Sequence, residues 1–136
     1  MTRMRFLLAL MIGLTTVPGL SAATEDGGTA AKRDGFFVSQ FSDFRAVDGR
    51  HVVLYGASRK KAFLATLFGY CVGLTHAESI GIDSRLSYLS DRTPASIIVY
   101  DTFKQRCAIH RLERVDNYAH AKALVKRRKD LAANAK

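Results

Sequence analysis

Apolar and polar positions organise the chain most clearly over "FRAVDGRHVVLY", residues 44–55. Two apolar runs flank Asp48-Gly49, a pair that suits a tight hairpin turn with positive φ at both central residues. In that register Phe44 faces Val53 and Ala46 faces His51. The next run, "KAFLATLF" (61–68), is apolar on both faces, so periodicity alone does not separate a buried strand from a buried helix. Its shortness and the Gly69 that follows point to a strand. "SIIVYD" (96–101) follows Pro94 and is dense in β-branched residues, which favours a strand. "RCAIHRLERV" (106–115) also reads as a strand, although its alternation fails past Ile109. Between them, Thr75 and Glu78 have the spacing of a capping box, and Gly81 limits any helix there to a turn or two. "SRLSYLSDRTP" (84–94) reads as a strand or loop closing on a turn. Near the end, Ala121, Leu124, Val125, Arg128 and Leu131 follow helical spacing, with Asp116 or Asn117 placed to cap the helix.

These elements predict an α+β, mostly β fold: a small antiparallel sheet or partly open barrel with a C-terminal basic helix. Residues 36–115 form the expected domain, and 116–136 the helix or tail. The N-terminus has a different pattern. Arg3 and Arg5 precede an apolar run from Phe6 to about Leu20, broken by Pro18 and followed by the small residues Ser21 and Ala23. That is the layout of a secretory signal peptide cleaved after Ala23. The run is short for a bilayer span, which needs about 20 residues, so no transmembrane segment is expected after cleavage. The polar, Gly-rich residues 24–35 read as a flexible leader. The expected location is the periplasm or outside the cell.

Charge changes the picture at the other end. The net charge of +9 falls to +7 once Arg3 and Arg5 are removed, and the residues from Asp116 onward carry +4 of it. Lys122, Lys126, Arg127, Arg128 and Lys129 are therefore the candidates for contact with something anionic: an envelope lipid or polymer, or another envelope protein. A solvated helix face is the plainer reading of such a run. Nucleic acid is not expected, because export argues against it and no aromatic stacking pattern accompanies the bases.

Two cysteines, Cys71 and Cys107, remain after cleavage. In an oxidising compartment they have one intramolecular pairing. Closing the intervening loop is worth roughly 3–4 kcal/mol in the chain-entropy model, which is substantial for a thin core. The competing readings use Cys107 with His110, as nucleophile and base or as metal ligands, in a small exported enzyme or metal-dependent protein. On a strand their odd separation puts them on opposite faces. The spacing also lacks the tight Cys pairs of structural zinc. No G-x-S-x-G, phosphate loop, dinucleotide fingerprint or H-E-x-x-H occurs. The expected protein has no catalytic residue, metal or cofactor. Glu113 and Asp116 lie among bases and read as surface ion-pair partners, and "RKK" (59–61) as a solvated turn.

"GYCVGLTHAESIGID", "SIIVYD" and "QRCAIHRLERV" together resemble a family of small exported bacterial proteins, domain of unknown function 6491. The marks are Cys71, Leu74, Ala77, Ile80 and Gly81, then Arg106, Cys107 and Ile109, within a stretch from about Phe41 to Val115. The resemblance implies an exported domain with paired cysteines, and it brings no activity, ligand or catalytic residue.

Overall fold

The computed structural model describes residues 34–59 and 61–135. The expected signal peptide, and the leader as far as residue 33, lie outside the described residues. The elements are β1 (Gly35–Phe37), β2 (Asp43–Ala46), β3 (His51–Tyr55), β4 (Ala62–Leu67), β5 (Ile80–Ser84), β6 (Tyr88–Ser90), β7 (Ala95–Tyr100), β8 (Lys104–Val115) and α1 (Tyr118–Asn134). Six strands form one antiparallel sheet, ordered β2-β3-β4-β8-β7-β5, and β1 pairs with β6 in a small second sheet. The large sheet curls into a half-barrel. The expected mostly β fold with a C-terminal helix is the fold observed.

Strand period 2 sorts the side chains into two layers. Val52, Leu54, Phe63, Ala65, Leu67, Ile97, Val99 and Leu112 face the inner side, where Phe36 of β1 and Leu89 of β6 close over them. Phe36 and Phe63 stack at 5.2 Å between ring centroids. The intervening positions Val53, Ala62, Leu64 and Val115 face outward and are buried by Ala121 and Val125 of α1. The two-sided apolar pattern of residues 61–68 thus has a direct cause: β4 is a central strand, covered on one face by the inner core and on the other by the helix.

The first hairpin differs from the tight-turn expectation. Phe44 pairs with Leu54 and Ala46 with Val52, one residue out of the expected register. The loop is longer, Val47 to Arg50, and positive φ among the described glycines occurs at Gly73 rather than Gly49. Here the Asp48 side chain replaces left-handed backbone as the organiser of the turn, an Asx-type arrangement. Its Oδ1 accepts from the backbone N–H of Arg50 and of His51, each at 2.8 Å. The shift places Phe44 and Ala46 against the inner core.

The failed alternation past Ile109 also has a physical origin. Thr66 pairs with Arg111 and Leu67 with Ile109, leaving His110 as the extra residue of a β-bulge. The bulge switches parity along β8. Cys107 and Ile109 face the inner core before it, and Leu112 does so after it. Glu113 and Val115 are then turned toward α1. Beyond Ala108 the other edge of β8 has no β7 partner. There Asp91 of the β6–β7 turn accepts from the Leu112 N–H at 3.2 Å.

The expected capping box does not form. Residues Leu74–His76 make a single 3₁₀ turn headed by Gly73 at φ 81°, with no side-chain cap. Asn117 does cap α1, its Oδ1 accepting from the His120 N–H at 2.8 Å.

Candidate functional site

Cys71 and Cys107 are joined by a disulfide, with their Cα atoms 5.9 Å apart. Both sit in the inner core. The Cys71 N–H also donates to the Gly49 carbonyl at 2.7 Å. One residue therefore ties the β4–β5 loop to β8 through sulfur and to the β2–β3 hairpin through its backbone. The bond consumes both sulfurs, so the Cys107–His110 alternative is not assembled in this state. His110 stands on the opposite face, its ring 4.7 Å from that of Phe68. Among the described residues no three His, Cys, Asp or Glu side chains gather as a metal site would require.

The five basic candidates of α1 divide into two groups. Arg128 forms a two-pronged pair with Glu113, at 2.8 and 2.7 Å, a geometry that matches the planar guanidinium to a carboxylate. The Glu113 hydrogen bonds raise the Arg128 pKa against the opposing effect of burial. Lys129 reaches Asp48 at 2.7 Å. These two residues tie the helix to the sheet through their acidic partners. Lys122, Lys126 and Arg127 remain exposed, without a salt bridge or hydrogen bond among the described residues.

Asp48 is the hub of this docking. Burial works against its ionisation. Hydrogen bonds from Lys129, from the Arg50 N–H and from His51, together with the His51 charge, outweigh that and lower its pKa from 3.8 to about 2. His51 Nδ1 lies 2.8 Å from Asp48 Oδ1. At the start of the helix, the Tyr118 hydroxyl donates to the Ala46 carbonyl at 3.2 Å, and the Arg45 guanidinium lies 3.9 Å from the centroid of the same ring. Sequence reading did not identify Asp48, Glu113, Arg45 or Tyr118 as helix anchors. The signal available was limited to their type: acids and an aromatic placed far from the helical bases in sequence.

Other expectations resolve as follows. Asp116 pairs with His120 at 3.4 Å, and Arg59, itself largely solvent-exposed, pairs with Asp43 at 2.8 Å. Leu131, which shares the helical spacing of Ala121 and Val125, is 63% exposed. The half of the outer sheet face beyond α1 holds an open groove of about 520 Å³ lined in part by Arg85, Arg92 and Arg106. Arg106 is paired with Asp83 at 2.7 Å.

No curated protein and no solved structure matches this chain. A family model does match, over residues 2–131, and covers the disulfide, both cores and nearly all of α1. With the paired cysteines and the half-barrel in place, the chain belongs to DUF6491, a family of unknown function.

Proposed function

We propose that this protein is an exported, non-enzymatic binding or accessory domain that meets an anionic partner through the solvent face of α1. The observation that carries the reading is the division of charge on the helix. Arg128 and Lys129 are engaged by Glu113 and Asp48, whereas Lys122, Lys126 and Arg127 face solvent. The first pair fixes the helix, and the remaining three form a cationic surface of defined orientation. A core disulfide supports the exported setting, since such bonds persist in oxidising compartments.

Charge reversal tests the surface. Replacing Lys122, Lys126 and Arg127 with Glu removes retention on anionic vesicles or polymer at physiological salt while leaving thermal unfolding nearly unchanged. Unaltered retention refutes the reading. Fractionation of the producing cell tests the setting, with the expected species lacking residues 1–23 and carrying no free thiol.

A further inference from the structure

One end of the half-barrel gathers three connections: the β2–β3 loop, the β4–β5 loop and the β7–β8 turn. Hydrogen bonds and packing join them there. Leu67 donates to the Arg50 carbonyl, and Cys71 to that of Gly49. The Tyr70 ring lies so close over Gly49 that a Cβ on that glycine would collide with it. Gly73, at φ 81°, lies against Asp101 of the β7–β8 turn, where a Cβ would stand 3.0 Å from the carboxylate. The disulfide fastens the middle of this assembly to β8.

On this fastened base the side chains point the wrong way for a protein in water alone. Phe103 is 82% exposed, Tyr70 72%, Phe68 65% and Val72 63%. Tyr70 and Val72 flank Cys71, the residue that is itself 1% exposed. Phe103 stands in the three-residue turn between the paired Tyr100 and Lys104. Isolated exposed apolar residues are ordinary, but a cluster at the tips of adjoining loops marks an interaction surface.

The surroundings of the cluster are basic. Lys104 follows Phe103 directly, and Arg50 is exposed in the neighbouring loop. Lys129 of α1 reaches Asp48, in the same loop that Tyr70 covers, so the basic stretch of the helix arrives at this end. The acid of the turn, Asp101, is turned against Gly73. Aromatic and aliphatic side chains on protruding tips, with the exposed bases Lys104 and Arg50 at the same loops, have the chemistry of the water–lipid interface. There, rings settle at headgroup depth while bases meet anionic headgroups. Tips that project outward fit a deformable lipid surface better than the groove of a folded partner.

We propose that this end of the half-barrel docks on an anionic bilayer, with Phe103, Tyr70 and Val72 entering the interface and Lys104, Lys126 and Arg127 contacting headgroups. The proposal rests on the anionic-contact reading above and names lipid as the partner.

The chain contains no tryptophan, so Phe103→Trp creates a single local reporter. The protein as its host exports it, lacking residues 1–23, is mixed with vesicles of phosphatidylglycerol and phosphatidylcholine, or of phosphatidylcholine alone. The expected result is a blue shift of the Trp emission and protection from aqueous iodide on the anionic vesicles only. The reporter reads residue 103, so binding by any other segment leaves it unchanged. A Tyr70→Ser, Phe103→Ser variant is expected to lose about tenfold in vesicle affinity with unaltered thermal unfolding. Trp emission that stays aqueous, or a Ser variant that binds as tightly as the parent, overturns insertion. If charge reversal on α1 still abolishes retention in that case, the anionic-contact reading survives without it. Absence of retention on anionic vesicles, with binding to a soluble anionic polymer instead, rejects lipid as the partner.

Discussion

The two faces of the central sheet are held by different physics. The inner core is built from large apolar side chains, with Phe36, Phe63, Leu54, Leu67 and Leu89 all under 3% exposed, and it is closed by the disulfide. The outer layer under α1 buries mainly small residues, Ala62, Ala121, Val53, Val115 and Val125, with Leu64 the largest. There the helix is secured by charges and rings at its margins: Arg128 on Glu113, Lys129 on Asp48, and Arg45 over Tyr118. The inner core supplies apolar burial, which charge screening does not weaken. The helix interface depends on pairs that salt and acid weaken. One sheet thus carries a covalently stapled core on one side and a more easily released helix on the other.

The comparison is tested most severely by removing inner bulk. Phe63→Ala should destabilise by about 3–5 kcal/mol, the range for a large aromatic leaving a core cavity, as read from chemical denaturation. A loss under 1 kcal/mol would mean the inner core is not the main support. Breaking the staple with Cys71→Ser and Cys107→Ser should cost roughly 4 kcal/mol by loop-closure entropy, with reductant giving the same loss in the parent. On the other face, a double-mutant cycle with Glu113→Gln and Arg128→Gln should give a coupling of about 0.5–1 kcal/mol that shrinks in high salt, as expected for a partly exposed pair. A coupling that salt leaves unchanged would erase the distinction between the faces.

The smallest effect is expected from acid. The native pKa of Asp48 lies below its unfolded value, so ionised Asp48 favours the folded state. Its contribution is complete above the unfolded carboxylate pKa of about 3.9 and is lost as pH falls toward 2. Asp48→Asn should flatten the stability–pH curve in that window by lowering stability on its neutral side, where ionised Asp48 contributes in the parent. NMR signals of α1 should respond to the substitution before those of Phe36 and Leu89 do.

The strands were legible because burial leaves a periodic trace. Residues 61–68, 96–101 and 106–115 each fall within or largely match an observed strand, and even the broken alternation past Ile109 recorded the bulge at His110. The short pieces were less legible. Leu74–His76 is organised by Gly73 and its contact with Asp101, 28 residues on, whereas the Thr75–Glu78 spacing is a local pattern that tertiary context did not use. The first hairpin slipped by one residue because Asp-Gly also serves a longer loop when the Asp side chain takes over the backbone bonds.

At the candidate surface the division is similar. Sequence alone determined the strand-rich class, the basic helix and a cap at Asp116 or Asn117, of which the structure uses Asn117, because propensity, alternation and capping act within a few residues. Cysteine count named the one available intramolecular pairing. Only the tertiary structure decided which helical bases are engaged and which are free, since Glu113 and Asp48 lie 15 and 81 residues from their partners. Only it gathered Tyr70, Val72 and Phe103 at one end, because strand pairing and the disulfide, not chain proximity, bring those loops together. Local sequence sets what each segment can become, and long-range pairing decides which side chains meet.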